Sequence, residues 1–385
     1  MKKHDIDTRL IHAGEAVPRI CGAVSLPIFQ SSTFEYAGQD HYDDLKYIRM
    51  NNTPNHTVLH AKLAAVENAE AALVSGSGMG AITTTLLTFL NPGDHFLSQG
   101  GLYGGTHSFI VEDLAAMGIT CDFVDGDNPE HWADRLQPNT RLFYCESITN
   151  PLVEVADIEA IAAFCRKHRL ISIIDNTFAT PMNFRPADCG FDLSLHSGTK
   201  YLNGHSDIVA GAVIGKRKHV SAVAHKLVHM GATLDPHACF LLHRGMKTLA
   251  LRMRRQNDSA LAIATHLENH PTVVRVNYPG LESHPSHQRA AQLFKGFGGM
   301  LSFELDGDVA TADGFIQGTT LPILAPSLGG VESLITRPAT TSHADMSPED
   351  RMAMGISDRL IRLSVGIEST ADLISDLDAA LASIS

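Results

Sequence analysis

Apolar and polar positions alternate between helical and strand-like spacing along most of the chain. From Thr57, the residues Leu59, Leu63 and Val66 fall on one helical face, with Lys62 and Glu67 off it. A short apolar run, Ala71 to Val74, follows, and then a turn of small residues, Ser75-Gly76-Ser77-Gly78-Met79-Gly80. A second helical stretch runs to Leu90 and is closed by Asn91-Pro92-Gly93-Asp94. Beyond it, short strand candidates alternate with amphipathic helices. The clearest strands are Leu142 to Cys145, Leu170 to Ile174, Leu193 to Leu195 and Ile208 to Ile214. Between them Ile158, Ile161, Ala162 and Cys165 trace a helical face, as a crossover requires. This alternation predicts an α/β domain with a mostly parallel sheet and helices on both sides. A long helical pattern, Met246 to Asn269, leads into a looser last third: strand (Met300 to Leu305), helix, strand (Leu360 to Val365) and a terminal helix from Thr370. Residues 1–55 have little periodicity and several turn formers, and the apolar patch Val24 to Phe29 favours an arm that docks on something. The chain is therefore expected to divide into an arm over 1–55, a large domain over 56–255 and a smaller domain over 256–385.

Composition narrows the function classes. With 385 residues, 44% of them apolar and 19% charged, the chain has globular composition and length for more than one domain. A formal charge of -12 argues against a broad nucleic-acid footprint, which needs clustered Lys and Arg. No window approaches the uninterrupted apolar length of a membrane span; Ala71 to Leu90 is broken by Ser, Gly and Thr. The start, Met1-Lys2-Lys3-His4-Asp5, turns polar at once, unlike a secretory signal. The six cysteines (Cys21, Cys121, Cys145, Cys165, Cys189, Cys239) form no C-x-x-C pair. They read as reduced thiols of a cytoplasmic protein.

The candidate chemistry begins with a carboxylate that ends an apolar strand, Leu170-Ile171-Ser172-Ile173-Ile174-Asp175. In parallel sheets, sites form at the carboxyl ends of strands, although an Asp there also serves as a turn or helix cap. Downstream, Ser194-Leu195-His196-Ser197-Gly198-Thr199-Lys200-Tyr201 runs from a strand into small hydroxyl residues and a lysine. Hydroxyls and amides suit a phosphate there, and a neighbouring amine can form a Schiff base with an aldehyde cofactor. Gly76-Ser77-Gly78-Met79 opens a helix, where backbone N–H groups can approach an anion. Leu102-Tyr103-Gly104-Gly105-Thr106 sets an aromatic ring among flexible residues, suited to stacking on a planar ring.

Taken in order, these segments resemble the signature of the Cys/Met-metabolism pyridoxal-phosphate enzymes, the trans-sulfuration family. Asp175-Asn176-Thr177-Phe178-Ala179-Thr180-Pro181 and His196 to Asp207 carry the resemblance. Tyr47-Ile48-Arg49, Glu146 to Pro151, Ser327 to Leu334 and Arg362 to Gly366 extend it over nearly the whole chain. The resemblance implies a fold-type-I, aminotransferase-like subunit in a homotetramer, a dimer of dimers with shared active sites, acting on a small amino acid with pyridoxal 5'-phosphate. On the motif match, Lys200 would carry the cofactor, Asp175 would pair with its ring nitrogen and Tyr103 would stack on the ring. Gly78, Met79, Thr177, Ser197 and Thr199 would complete the cofactor site, joined by Tyr47 and Arg49 from the neighbouring subunit. Asn150, Ser327, Arg362 and Tyr47 would bind the substrate, with Arg362 gripping its carboxylate; Lys200, Tyr103 and Asp175 would carry the catalysis.

Within that resemblance Pro326 stands where family members commonly have Glu, Tyr or Val, and Lys46 and Ser108 occupy other pocket positions. Gly105 stands where methionine γ-lyases resemble one another in having Cys. The expected reaction is loss of a γ-substituent, bound through sulfur or another atom, from a homoserine or homocysteine framework. γ-Replacement, as in cystathionine γ-synthase or O-acylhomoserine sulfhydrylase, and cystathionine β-elimination are the alternatives. Histidine pairs at His56/His60, His225/His229 and His284/His287 open a metal-binding scaffold as a rival class, without a third ligand in view. A Rossmann oxidoreductase lacks its glycine fingerprint here.

Overall fold

The computed structural model describes residues 4–36, 38, 45–344 and 346–384. Met1-Lys2-Lys3 and the stretch 39–44 of the arm lie outside the described residues. The large sheet contains β1 (Ala71–Ser75), β2 (His95–Gln99), β3 (Thr120–Val124), β4 (Thr140–Glu146), β5 (Ile171–Asp175), β6 (Leu193–Ser197) and β7 (Gly211–Gly215). Its order is β1-β7-β6-β5-β4-β2-β3, and only β7 runs against its neighbours. The expectation of a mostly parallel sheet holds. The continuous apolar run Leu142-Phe143-Tyr144-Cys145 in β4 is what a strand covered on both faces needs.

Alternation along the strands splits the interior in two. Val74, Leu97, Phe143, Cys145, Ile174 and Ile214 belong to one core, while Leu73, Phe96, Leu142, Tyr144, Ile173 and Val213 belong to the other. Helix Ile158–His168 covers the first face; the side chain of Asp157 caps it by accepting from the Ala160 N–H. Its Phe164 meets Trp132 edge-on at 5.5 Å, and Trp132 meets Phe143 at 5.3 Å. Removing the fully buried Trp132 ring would cost about 3–5 kcal/mol. Helix Gly78–Phe89 packs on the second face against β6 and β7.

The second sheet contains β8 (Val273–Asn277), β9 (Met300–Leu305), β10 (Ile323–Leu324), β11 (Leu334–Thr336) and β12 (Ile361–Ser364), in the order β10-β11-β12-β9-β8. The terminal helix Thr370–Ser383 covers its core through Leu373, Leu377 and Leu381. Among the described residues no helix is long and apolar enough to cross a membrane.

Several boundaries differ from the sequence expectation. The long helix is two: Pro236–Met246, capped by Asp235, and Leu249–Glu268. Residue 255 lies inside the second helix, which touches helix Ile6–His12 as well as β8 and β9. The strand expected from Ile208 begins only at Gly211, because Ala210 turns its polar groups to Thr199: its N–H donates to Thr199 Oγ1 at 3.0 Å and its carbonyl accepts the Thr199 N–H at 3.2 Å. The arm holds a helix, Ile6–His12, too short to show a period, with Ile6 and Leu10 buried. Just after it Glu15 meets His243 Nε2 at 3.1 Å, Lys247 Nζ at 3.2 Å and Lys62 Nζ at 3.9 Å. Lys62 also donates to Leu10 O at 2.6 Å and Ile11 O at 3.1 Å, closing the end of that helix.

Candidate active site

A cavity of about 670 Å³ opens where β4, β5 and β6 end and the following segments begin. Parallel pairing puts Glu146 of β4 beside Asp175 of β5. Both side chains enter the lining. Asp175 Oδ1 accepts the Thr177 N–H at 2.9 Å, so it makes the turn bond expected of such an Asp while also facing the cavity. Burial pushes its carboxyl up, opposed by the Thr177 hydrogen bonds and by the charge of His196. Glu146 accepts the backbone N–H of Tyr103 at 2.8 Å, and burial, then Asp175, push its carboxyl well above the usual range.

Thr177 Oγ1 accepts the Ser197 N–H at 2.8 Å and so ties the ends of β5 and β6 together. Ser197 packs against the start of helix Gly78–Phe89; a Cβ on Gly78 would stand 2.8 Å from the Ser197 Cβ, so only glycine fits. Ser77 takes the N–H groups of Gly80 and Ala81, through its hydroxyl and carbonyl respectively. Those of Gly78 and Met79, the first two of the helix, have no partner among the described residues and can serve a guest. With the Ser197 hydroxyl, and with that of Thr199 once it turns from the Ala210 carbonyl 3.3 Å away, they make a donor set for an anion beside a cavity wall.

Lys200 lies one turn past Ser197 and donates from Nζ to Ser327 Oγ at 2.7 Å. Burial first, and Arg362 second, push its amine down to about 8, within reach of neutrality. Ser327 holds a backbone φ of +91°, uncommon for a residue with a side chain, in the loop that carries it between the two groups it serves. Its carbonyl accepts Arg362 Nη2 at 3.0 Å, and Asn150 Oδ1 accepts Arg362 Nη1 at 3.1 Å. Arg362, on β12, thus reaches from the second sheet into a cavity floored by the first, and burial pushes its guanidinium down to about 10. Tyr103 is 43% exposed. A Cβ on Gly105 would stand 2.8 Å from Tyr103 Cε1, so a larger residue there would displace the ring.

Of the residues singled out from motifs, Gly78, Met79, Tyr103, Asn150, Asp175, Thr177, Ser197, Thr199, Lys200, Ser327 and Arg362 line this one cavity. Tyr47 and Arg49 do not. They sit together outside it, with the Arg49 Cζ 5.6 Å from the Tyr47 ring centroid and Arg49 Nη1 3.4 Å from the carbonyl of Val228. Pro326 lines the wall; Lys46 and Ser108 do not. The lining adds Glu146 and Phe178, which lie inside the motifs above without a role assigned there, and Val209 and the stretch Thr340-Thr341-Ser342, which lie outside them. Glu146 closes its apolar strand as Asp175 does, and the same signal would have found it. The histidine pairs are mostly occupied inside the fold: His56 bonds Thr53 Oγ1 and the Leu234 carbonyl, and His60 Nε2 accepts the Val74 N–H. Other cavities, of about 380 and 530 Å³, contain no lysine.

The family model described as Cys/Met metabolism PLP-dependent enzyme matches residues 7–382. A cystathionine gamma-lyase of Bacillus subtilis (strain 168) is 41% identical over 98% of this chain and 99% of its own. A cystathionine beta-lyase of Coxiella burnetii is 41% identical over 99% of this chain and 98% of its own. Among solved structures, cystathionine gamma-lyase from Lactobacillus plantarum, complexed with L-serine, superposes with a TM-score of 0.94 at 38% identity, covering 99% of each chain.

Proposed function

The chain belongs to the Cys/Met-metabolism PLP-dependent enzymes, and from that premise we propose that it is a lyase acting on a γ-substituted amino acid. Its substrate has a homoserine or homocysteine framework, and the group lost is bound through sulfur or another atom. The observation that carries the reading is the meeting, in one cavity, of a lysine amine pushed down to about 8, a strand-end carboxylate and a guanidinium.

The residues present suit the cofactor. Helix N–H groups at Gly78 and Met79, with Ser197 and Thr199, match a phosphate; the carboxylate of Asp175 matches a ring nitrogen; Tyr103 offers an aromatic face. When bound, pyridoxal phosphate supplies an aldehyde for the substrate amine and a protonated ring that withdraws electrons from Cα. Arg362, steadied by Asn150 and the Ser327 carbonyl, takes the substrate carboxylate and so fixes which Cα bond is activated. Lys200 Nζ removes the Cα proton and returns protons along the same face; an amine pushed down to about 8 is available as a base in mildly alkaline water. Ser327, bonded to Nζ, holds the amine in line. The Tyr103 phenol serves as acid or base at the leaving group. Tyr47 and Arg49 reach the phosphate of a neighbouring subunit, in a cytoplasmic dimer of dimers.

A panel of γ-substituted amino acids, with and without a thiol, tests the reading. 2-Oxobutanoate with ammonia is expected and marks γ-elimination; pyruvate marks β-elimination. A thioether formed only with added thiol marks γ-replacement, and homoserine marks water entering the γ-position. Borohydride is expected to fix the cofactor mass on Lys200. No cofactor mass there would sink the site assignment.

A further inference from the structure

Outside the cavity lining, a polar group that the mechanism above leaves unused is sealed into the core. Glu67, following helix Pro54–Val66, is completely buried, as are Asn176 and, at 1% exposure, His196. Glu67 Oε1 accepts from His196 Nε2 at 2.5 Å and from Asn176 Nδ2 at 3.2 Å. Asn176 Nδ2 also donates to the Phe184 carbonyl at 3.0 Å, and its backbone N–H donates to Leu195 O at 2.8 Å. The two residues that Glu67 holds are the neighbours of site residues: Asn176 follows Asp175, and His196 precedes Ser197. One carboxylate therefore clamps the ends of β5 and β6 from below.

The arrangement is a costly way to fill a core. A buried ion pair is often no more stabilising than an apolar pair of the same size. Here Glu67 Oε2, His196 Nδ1 and Asn176 Oδ1 have no hydrogen-bond partner among the described residues, which adds to the cost. The site supplies a use for the charge. Asp175 is desolvated and faced by a second acid, Glu146 from β4; the Thr177 hydrogen bonds first, and then His196 from β6, pull its carboxyl back down.

We propose that Glu67 and His196 are positioning residues for Asp175: the Glu67 carboxylate grips the His196 ring and the Asn176 amide behind the ends of β5 and β6, and so fixes the Asp175 carboxylate toward the cofactor ring. The proposal rests on the reading of the cavity as a pyridoxal-phosphate site. Neither residue touches the cofactor; both act through Asp175 and the strand ends beside it.

Holoenzyme variants Glu67→Gln, Glu67→Asp and the double variant Glu67→Gln/His196→Asn test it. The double variant removes both charges, so no unpaired ion is left in the core if the single variant fails to fold. The readouts are the cofactor dissociation constant and the pH midpoint of the cofactor's absorption band. Glu67→Gln and the double variant are expected to weaken cofactor binding about tenfold. They are expected to move the absorption midpoint upward by about one pH unit, because a less protonated ring withdraws fewer electrons from the nitrogen at position 200. Glu67→Asp is expected to restore both readouts to within about threefold of wild type. A loss of thermal stability alone, with affinity and absorption midpoint unchanged in the double variant, overturns the proposal by making the pair structural. Failure of the underlying site reading registers differently, as wild-type chain without borohydride-fixed cofactor on Lys200, and overturns the proposal with it.

Discussion

Two buried clusters of charge in this molecule are built in opposite ways. At the root of the arm, one carboxylate, Glu15, is surrounded by His243, Lys247 and Lys62. Burial alone would raise its carboxyl, but His243 and the two lysines outweigh it and hold it below the usual range. At the cavity, two carboxylates stand side by side on adjacent strands, and burial drives both up. The lysine and arginine beside them are driven down instead. The first cluster settles its charges within the chain and fastens one segment to another. The second leaves charge unsettled, as a site must if a guest is to complete it. In these two clusters, compensation inside the chain goes with structure and its lack with chemistry.

The largest effect that would break this contrast is at Lys200. Replacing it by Ala should lower turnover by at least about four orders of magnitude while the circular dichroism spectrum is retained. Normal turnover would remove the amine from the chemistry. Next is Arg362→Lys, which keeps a charge but loses the planar fork; kcat/KM should fall by about 100-fold, mainly through KM. Glu15→Gln should act on the other cluster alone. It leaves cations facing one another, and urea unfolding should register a loss of about 3 kcal/mol, somewhat less because Lys247 is partly exposed. The KM of that variant should stay within about threefold of wild type. Glu146→Gln should have the reverse sign on the cofactor-free chain. It removes a strained acid yet can still accept the Tyr103 N–H, so the unfolding free energy at neutral pH should rise by about 1–2 kcal/mol.

What could be read from the sequence follows the same division. Asp175, Lys200 and the hydroxyls between them are close in the chain, and a strand that ends in functional side chains is a local pattern. The turn at Gly78 and the Tyr103 loop are local too. What escaped depends on pairing across the sheet or on distant packing. Glu146 closes a strand as visibly as Asp175 does, yet its place beside Asp175 is set by parallel register; Glu67 is placed by a helix end that meets β6 across 129 positions of sequence. The helix Ile6–His12 was missed because its seven residues are fewer than a periodicity needs, and it is held by Lys62, far along the chain. Tyr47 and Arg49 pose a different question: motif order ties them to the cavity, and a single copy of the chain keeps them out of it.

The smallest effect sharpens the contrast through the sign of a pH dependence. Burial, and then the charge of Lys62, push His243 down to about 4 from its usual 6.5. Above that ordinary value the ring is neutral folded or unfolded. Between 6.5 and 4 the unfolded chain takes up a proton that the folded chain refuses, so stability contributed here at neutral pH is lost as the pH falls through that window. Glu15 has the same sign one step lower: its folded carboxyl lies below 4.5, so its contribution is present above that value and disappears on further acidification. The cavity acids oppose both, since a raised carboxyl favours the folded chain as the pH drops toward it. The raw stability profile therefore mixes two signs, and a variant must separate them. His243→Gln should cost about 1 kcal/mol at pH 7, where it removes a buried ring packed 3.1 Å from Glu15. On descent to pH 4 the wild type loses more than that, about 3 kcal/mol for a ring pushed from 6.5 down to about 4, so the gap between the two urea-unfolding free energies should close and then reverse. A gap that stays constant from pH 7 to pH 4 would mean that His243 does not titrate against this cluster, and that the arm is fastened by packing and not by compensated charge.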